Sequence, residues 1–277
     1  MASVLARQSV ALALLVAAVS VTGVDSKSFN ITNSCVYTVW PGISSGPGSA
    51  AAVDTTGFEL APGEWEIVPV QSGWSGRVWG RTLCSNSTEN TGRFTCVTGD
   101  CGSGRLDCAG GNAVPPVTLA QFTMDGSGAM EFYDISLVDG YNLPMLVTPP
   151  PQDAAPAGGN CTPVRCVVDL NGECPDELRV ASAAAAAATG TGVVACKSAC
   201  QAFGSPQYCC TGEYGNLDTC MPSAYSQLFK KACPRAFSYA YDGADSIFTC
   251  GAGAGESNTL TYTITFCPST NRQGLQF

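Results

Sequence analysis

Sixteen cysteines in a chain of 277 residues constrain the fold more than any other feature, and their meaning depends on the compartment they meet. The chain opens MASVLARQSVALALLVAAVSVTGVDS, with Arg7 ahead of an apolar run from Val10 to Val21 and small residues at Gly23 and Ser26. That is the layout of a secretory signal peptide over residues 1–26, cleaved between Gly23 and Ser26. The apolar run is too short to span a bilayer. In oxidising surroundings an even set of cysteines defaults to disulfides. Each bond stabilises by roughly 2–4 kcal/mol, chiefly by restricting the unfolded chain. Spacing alone does not give the pairing.

The chain has no histidine. This excludes Ser-His-Asp and Cys-His catalysis and the imidazole-dependent zinc sites. No metal and no cofactor is expected. The formal net charge is −9, from 13 basic and 22 acidic residues. Such a surface repels polyanions, so nucleic acid is not an expected partner, and neither is anionic lipid. A neutral polymer meets no such penalty.

Strand patterns dominate from Lys27 to Leu146. SFNITNSCVYTVWPGI alternates Phe29 and Ile31 with Asn30 and Thr32. GEWEIVPV alternates Trp65 and Ile67 against Glu64 and Glu66, and SGRVWGRTL, VTLAQFTM and AMEFYDISLV are further short runs between glycines and prolines. Their spacing, about ten residues, predicts a β-sandwich or barrel. TPPPQDAAPAGG at 148–159 is a break in composition. Cysteines then crowd residues 161–235, a segment too poor in apolar runs to fold without staples. PSAYSQLFKKAC puts Tyr225, Leu228, Phe229 and Ala232 on one helix face after a Pro222-Ser223 start. The alanine run at 182–192 reads as a surface insertion. TLTYTITF alternates again, and predicts a last strand pairing back into the first sheet.

Residues 92–108, GRFTCVTGDCGSGRLDC, carry Gly92, Phe94, Cys96, Thr98, Gly99, Asp100, Cys101, Gly104 and Cys108. This stretch resembles the signature of the thaumatin-like proteins, the pathogenesis-related group 5 family. NSCVYTVWPG, GRVWGRTLC, FYDISLVDGYNLPM, NGECPDELRV, QYCCTG, FKKACPRAFSYAYD and FTCGAG resemble the same family. The likeness runs from Phe29 to Cys267.

The resemblance implies one mainly β thaumatin-like unit over 27–277. Its sandwich core is drawn from 27–84, 117–147 and 236–267. A disulfide-rich helical and loop region covers 161–235, and a small third region of two stapled loops covers 85–116. The implied pairs are Cys35–Cys267, Cys84–Cys96, Cys101–Cys108, Cys161–Cys250, Cys166–Cys233, Cys174–Cys196, Cys200–Cys209 and Cys210–Cys220. Asp100 reads as a turn former, since Asx side chains bond their own backbone.

Relatives of this kind carry an acidic cleft lined by an arginine, a glutamate and three aspartates. Carried onto this chain, these are Arg77, Asp134, Asp139 and Asp242, with Gln121 at the glutamate position. Glycoside hydrolysis normally needs one protonated and one ionised carboxyl. Glutamine keeps hydrogen-bonding capacity but exchanges no proton. Binding therefore survives this difference better than hydrolysis, and an enzyme is the less favoured reading, with Asp134 and Asp139 as its candidate catalytic pair. Those two are five positions apart, so both face one cleft only if their strand ends or bulges near Val138. Trp74, Trp79, Tyr133 and Tyr141 are candidates for stacking on sugars, weighed against the usual burial of strand aromatics.

The reading that follows is a secreted, extracellular (apoplastic) defence-type monomer. It binds β-1,3-glucan or fungal wall polysaccharide, with antifungal action. A weak endo-β-1,3-glucanase is one alternative, and a non-enzymatic inhibitor or interaction protein is another. Asn30-Ile-Thr32 and Asn86-Ser-Thr88 are N-glycosylation acceptors. Asn160-Cys-Thr162 also fits, with a disulfide cysteine at its centre.

Overall fold

The computed structural model describes residues 26–86, 92–151, 160–183, 192–251 and 259–269. Most of the alanine run, and Thr88 of the Asn86 acceptor, lie outside them. Alternation sets the first and last strands of the first sheet, whereas in the run from Trp65 to Val70 the expected parity is reversed, with Trp65 and Ile67 exposed and Val68 and Val70 buried. β1 (Ser26–Asn33), β3 (Trp65–Val70), β8 (Met145–Thr148), β9 (Val164–Cys166) and β13 (Thr259–Phe266) pair in the order β3-β1-β13-β8-β9. The last strand does return to the first. β13 runs parallel to β1 from Ser26↔Thr259 to Asn33↔Phe266. Leu260, Tyr262, Ile264 and Phe266 point inward, and Thr261, Thr263 and Thr265 outward, as a half-buried strand requires.

The second sheet takes β2 (Trp40–Ser45), β4 (Ser75–Asn86), β6 (Leu119–Thr123), β7 (Met130–Ser136) and β12 (Phe248–Gly251), in the order β12-β7-β6-β4-β2. β5 (Phe94–Thr98) pairs with β4 off this path. The two sheets enclose an aromatic core. Phe122 meets Tyr262 edge-on at 5.4 Å between centroids, and Tyr133 meets Tyr262 at 5.3 Å. Such geometry adds to what burial alone contributes.

Eight disulfides pair Cys35–Cys267, Cys84–Cys96, Cys101–Cys108, Cys161–Cys250, Cys166–Cys233, Cys174–Cys196, Cys200–Cys209 and Cys210–Cys220. In the stretch from 85 to 116 the picture of two loops needs correction. Cys84 and Cys96 stand directly opposite in the β4–β5 hairpin, so this bond crosses a ladder. Asp100 is a turn former: Oδ2 accepts from Cys96 N at 2.7 Å and Oδ1 from Gly102 N at 2.6 Å. Buried Arg81 of β4 ties the second loop down. It donates to the carbonyls of Trp40, Pro41 and Leu106.

The cysteine-rich segment holds the helix Ala224–Ala232, capped by Ser223 Oγ accepting from Ser226 N. Buried Phe229 and partly buried Tyr225, Leu228 and Ala232 pack on the core. A hairpin of β10 (Arg179–Ala181) and β11 (Val193–Cys196) is an addition to the expected elements; its strands are too short to show a period.

Candidate functional site

One face of the second sheet is buried in the core, and the other forms the floor of an open groove. Register decides who meets there. Arg77 on β4 pairs with Gln121 on β6, and Gln121 pairs with Asp134 on β7. Directly opposed residues point to the same side, so the three side chains form a row across the strands. With the Gln121 amide oriented to satisfy both neighbours, Nε2 donates to Asp134 Oδ1 at 3.0 Å and Oε1 accepts from Arg77 Nε at 3.1 Å.

Asp139 joins them from a turn. β7 ends at Ser136, so the strand parity that would turn Asp139 away no longer applies. Gly140, with φ of +89°, closes the turn, and its N–H donates to Leu137 O at 2.9 Å. A Cβ here would lie 2.6 Å from Cys196 O, so both conformation and space call for glycine. Asp139 Oδ2 then lies 4.0 Å from Arg77 Nη1, both side chains being half exposed.

The row is shared by two adjoining hollows of about 430 and 480 Å³. The first continues over Ser44, Ser75 and Asn112. The second continues over Val138, Asp139, Phe237 and Ile247. The groove thus has a hydroxyl- and amide-rich end and an apolar end. Phe132 lines both and is absent from the residues expected there, although it shares the parity of Asp134 on one strand.

Asp242 stands apart from this lining. Its Oδ2 accepts from Ser238 N and Oγ at 2.7 Å each, and its Oδ1 is 3.0 Å from Lys230 Nζ. The aromatic candidates are corrected outright. Trp74, Trp79, Tyr133 and Tyr141 are all buried. Their polar atoms donate inward to Ser45 Oγ, Gly99 O, Thr162 O and Val168 O. Trp74, Tyr133 and Tyr141 fill the main core, and Trp79 a second cluster with Cys101, Cys108, Val117 and Leu119.

Burial pushes the Asp134 carboxyl up to about 8, with Arg77 pulling the other way. At mildly acidic pH the floor therefore offers a guanidinium, an amide and a protonated carboxyl, with the guanidinium paired to Asp139 at 4.0 Å. Charge nearly cancels, and donors and acceptors alternate. This suits an uncharged, hydroxyl-rich ligand. Among the described residues, no three His, Cys, Asp or Glu side chains gather as a metal-binding group.

The thaumatin family model matches residues 33–268. Thaumatin-like protein 1 of Arabidopsis thaliana is 49% identical over 92% of this chain and 91% of its own length. Pathogenesis-related thaumatin-like protein 3.5 of Cryptomeria japonica is 49% identical over 87% and 90%. Pathogenesis-related protein 5 of Arabidopsis thaliana is 45% identical over 94% and 98%. With the fold, the disulfides and this likeness together, the chain belongs to the thaumatin family.

Proposed function

We propose that this chain is a secreted, plant-defence-type protein that binds β-1,3-glucan of the fungal wall in the groove, as a binder first and not as a hydrolase. The row Arg77–Gln121–Asp134 carries this reading. Its members are joined at 3.0 and 3.1 Å, with an amide between a cation and a carboxyl. An amide bridge hydrogen-bonds hydroxyls on both sides without carrying charge. Eight disulfides agree with export to an oxidising space, here the apoplast. The test is retention on insoluble β-1,3-glucan with soluble laminarin as competitor. Wild-type protein should be retained, and Arg77→Ala and Gln121→Ala should each weaken binding about tenfold, the worth of roughly 1.4 kcal/mol of hydrogen bonding. Failure of wild type to bind, or indifference to both substitutions, overturns the reading.

One observation favours a second reading. A carboxyl raised to about 8 is a general acid at neutral pH, and Asp139 lies 4.0 Å from the Arg77 guanidinium of the same row. Weak endo-β-1,3-glucanase activity would use Asp134 as acid and Asp139 as base. Release of reducing sugar from laminarin, abolished in Asp134→Asn, would establish it.

A further inference from the structure

Asn160, Cys161 and Thr162 make an acceptor sequence whose central cysteine is bonded to Cys250. Three observations bear on it. Asn160 is exposed, and its Oδ1 accepts from Thr162 Oγ1 at 3.1 Å. Among the described residues its Nδ2, the atom that a sugar would take, has no partner.

The second observation concerns order in time. Cys250 follows Cys161 by 89 residues. A chain threaded N-terminus first into the secretory lumen presents Asn160 and Thr162 well before Cys250 arrives. The acceptor is then still open, and the sulfur that later rigidifies it has no native partner.

The third is place. Ser75 pairs with Thr123, Thr123 with Phe132, and Phe132 with Thr249. This row runs beside Arg77–Gln121–Asp134 on the same face. Asn160 N donates to Thr249 Oγ1 at 3.2 Å, so Asn160 stands at the row's end. β12, which carries Thr249, is an outer strand of its sheet. That strand is itself already buried, with Phe248, Cys250 and Gly251 covered and Cys250 bonded to Cys161, so what stands exposed at its end is Asn160. Exposed Ile247 lies just ahead on the same strand's path and lines the groove.

We propose that Asn160 carries an N-linked glycan rooted on the groove's rim at its β12 end. The donor is a lipid-pyrophosphate-linked oligosaccharide. Transfer breaks the bond from sugar C1 to the pyrophosphate oxygen and forms C1–Nδ2. The amide gives up one proton, and the lipid pyrophosphate leaves. On the glucan-binding reading above, the glycan limits how a long polysaccharide leaves the groove at that end.

Full-length protein secreted from plant cells is treated with a peptide:N-glycosidase in ¹⁸O water, which isotopically marks asparagines that carried glycan. The expected result is label on the Asn160 peptide, with the Cys161–Cys250 bond intact. Unlabelled Asn160 in wild type overturns the proposal. The double variant Cys161→Ser/Cys250→Ser keeps an acceptor without the sulfur. Equal labelling in variant and wild type supports the order of events; label in the variant alone overturns it. For the rim, trimming the glycan with an endoglycosidase should strengthen binding of long laminarin about threefold or more and leave a short oligomer unchanged. An occupied Asn160 whose trimming changes neither places the glycan away from the groove and overturns that part. Absence of any glucan binding before and after trimming counts against the glucan reading, while occupancy still decides the modification.

Discussion

Gln121 sits between a cation and a carboxyl and can exchange a proton with neither. Gln121→Glu places a second carboxyl against Asp134, and two neighbouring carboxyls push their pKa values apart. If the missing carboxyl alone limits hydrolysis, this variant should release reducing sugar from laminarin at least tenfold faster than wild type. Asp134 makes a separate prediction. Folded, burial holds its proton up to about pH 8, against an ordinary value of 3.8. Between those values the folded chain binds more protons than the unfolded one. The contribution of Asp134 to stability is therefore full at low pH and is lost as pH rises towards 8. Asp134→Asn stays neutral, and its Tm should gain on wild type by at least about 2 °C between pH 4 and pH 8, the effect of about 1 kcal/mol in a domain of this size. A gap that does not widen over that range means that Asp134 is not held protonated.

Whole strands and loops depend on a few ties. Arg81 is buried on β4, and burial lowers it to about 10, with Asp100 and Asp107 opposing the shift. It remains charged at neutral pH and answers three carbonyls. Arg81→Met leaves those acceptors buried and should cost about 3 kcal/mol in urea unfolding with disulfides intact. The disulfides themselves should differ by the length of chain they close. Cys35–Cys267 spans 232 residues, and Cys101–Cys108 spans 7. On the chain-entropy model the long closure is worth about 5 kcal/mol and the short one about 2.5. Paired serine substitutions at Cys35 and Cys267 should therefore lower stability about twice as much as those at Cys101 and Cys108. Equal losses would mean that restriction of the unfolded chain is not what these bonds contribute. At the opposite end of β1, buried Lys27 meets Glu131 at 2.5 Å and also Asp125. This ion cluster joins the first strand to β7 and to the turn before it.

For the molecule as a whole, net charge −9 and a groove floor of nearly balanced charge pull in different directions. The field repels polyanions at long range, whereas contact in the groove is by hydrogen bonds to neutral groups. Binding of laminarin should then change less than twofold between 20 mM and 500 mM salt, measured by titration calorimetry. A steep fall with salt would mean that charges on the ligand are being neutralised, as they are with polyanions, and would exclude a neutral glucan as the main partner.

Much of this protein is legible in its residue pattern. Alternation marks β1 and β13, because each has one face in the core and one towards solvent, and period two records that directly. In β3 the alternation of Trp65 and Ile67 marks the wrong face, since Val68 and Val70 are the buried residues, and β4 is buried on both faces from Val78 to Thr82. Ser223 and the spacing of Tyr225, Leu228, Phe229 and Ala232 mark the longest helix among the described residues for the same kind of reason. Local pattern does not tell a buried Trp79 or Tyr133 from an exposed one, since the stapled loop at Cys101 and Cys108 decides the first and the main core the second. Nor does it show that β4, β6 and β7 align Arg77, Gln121 and Asp134 in one row, that a turn at Gly140 brings Asp139 beside them, or that Lys230 and Ser238 hold Asp242 aside. Residue type and period are properties of a segment, whereas register and burial arise only when distant segments pack. The sequence by itself determined an oxidised, mostly β chain with a polar, carboxyl-bearing strand face; tertiary structure alone decided which of those carboxyls share a groove.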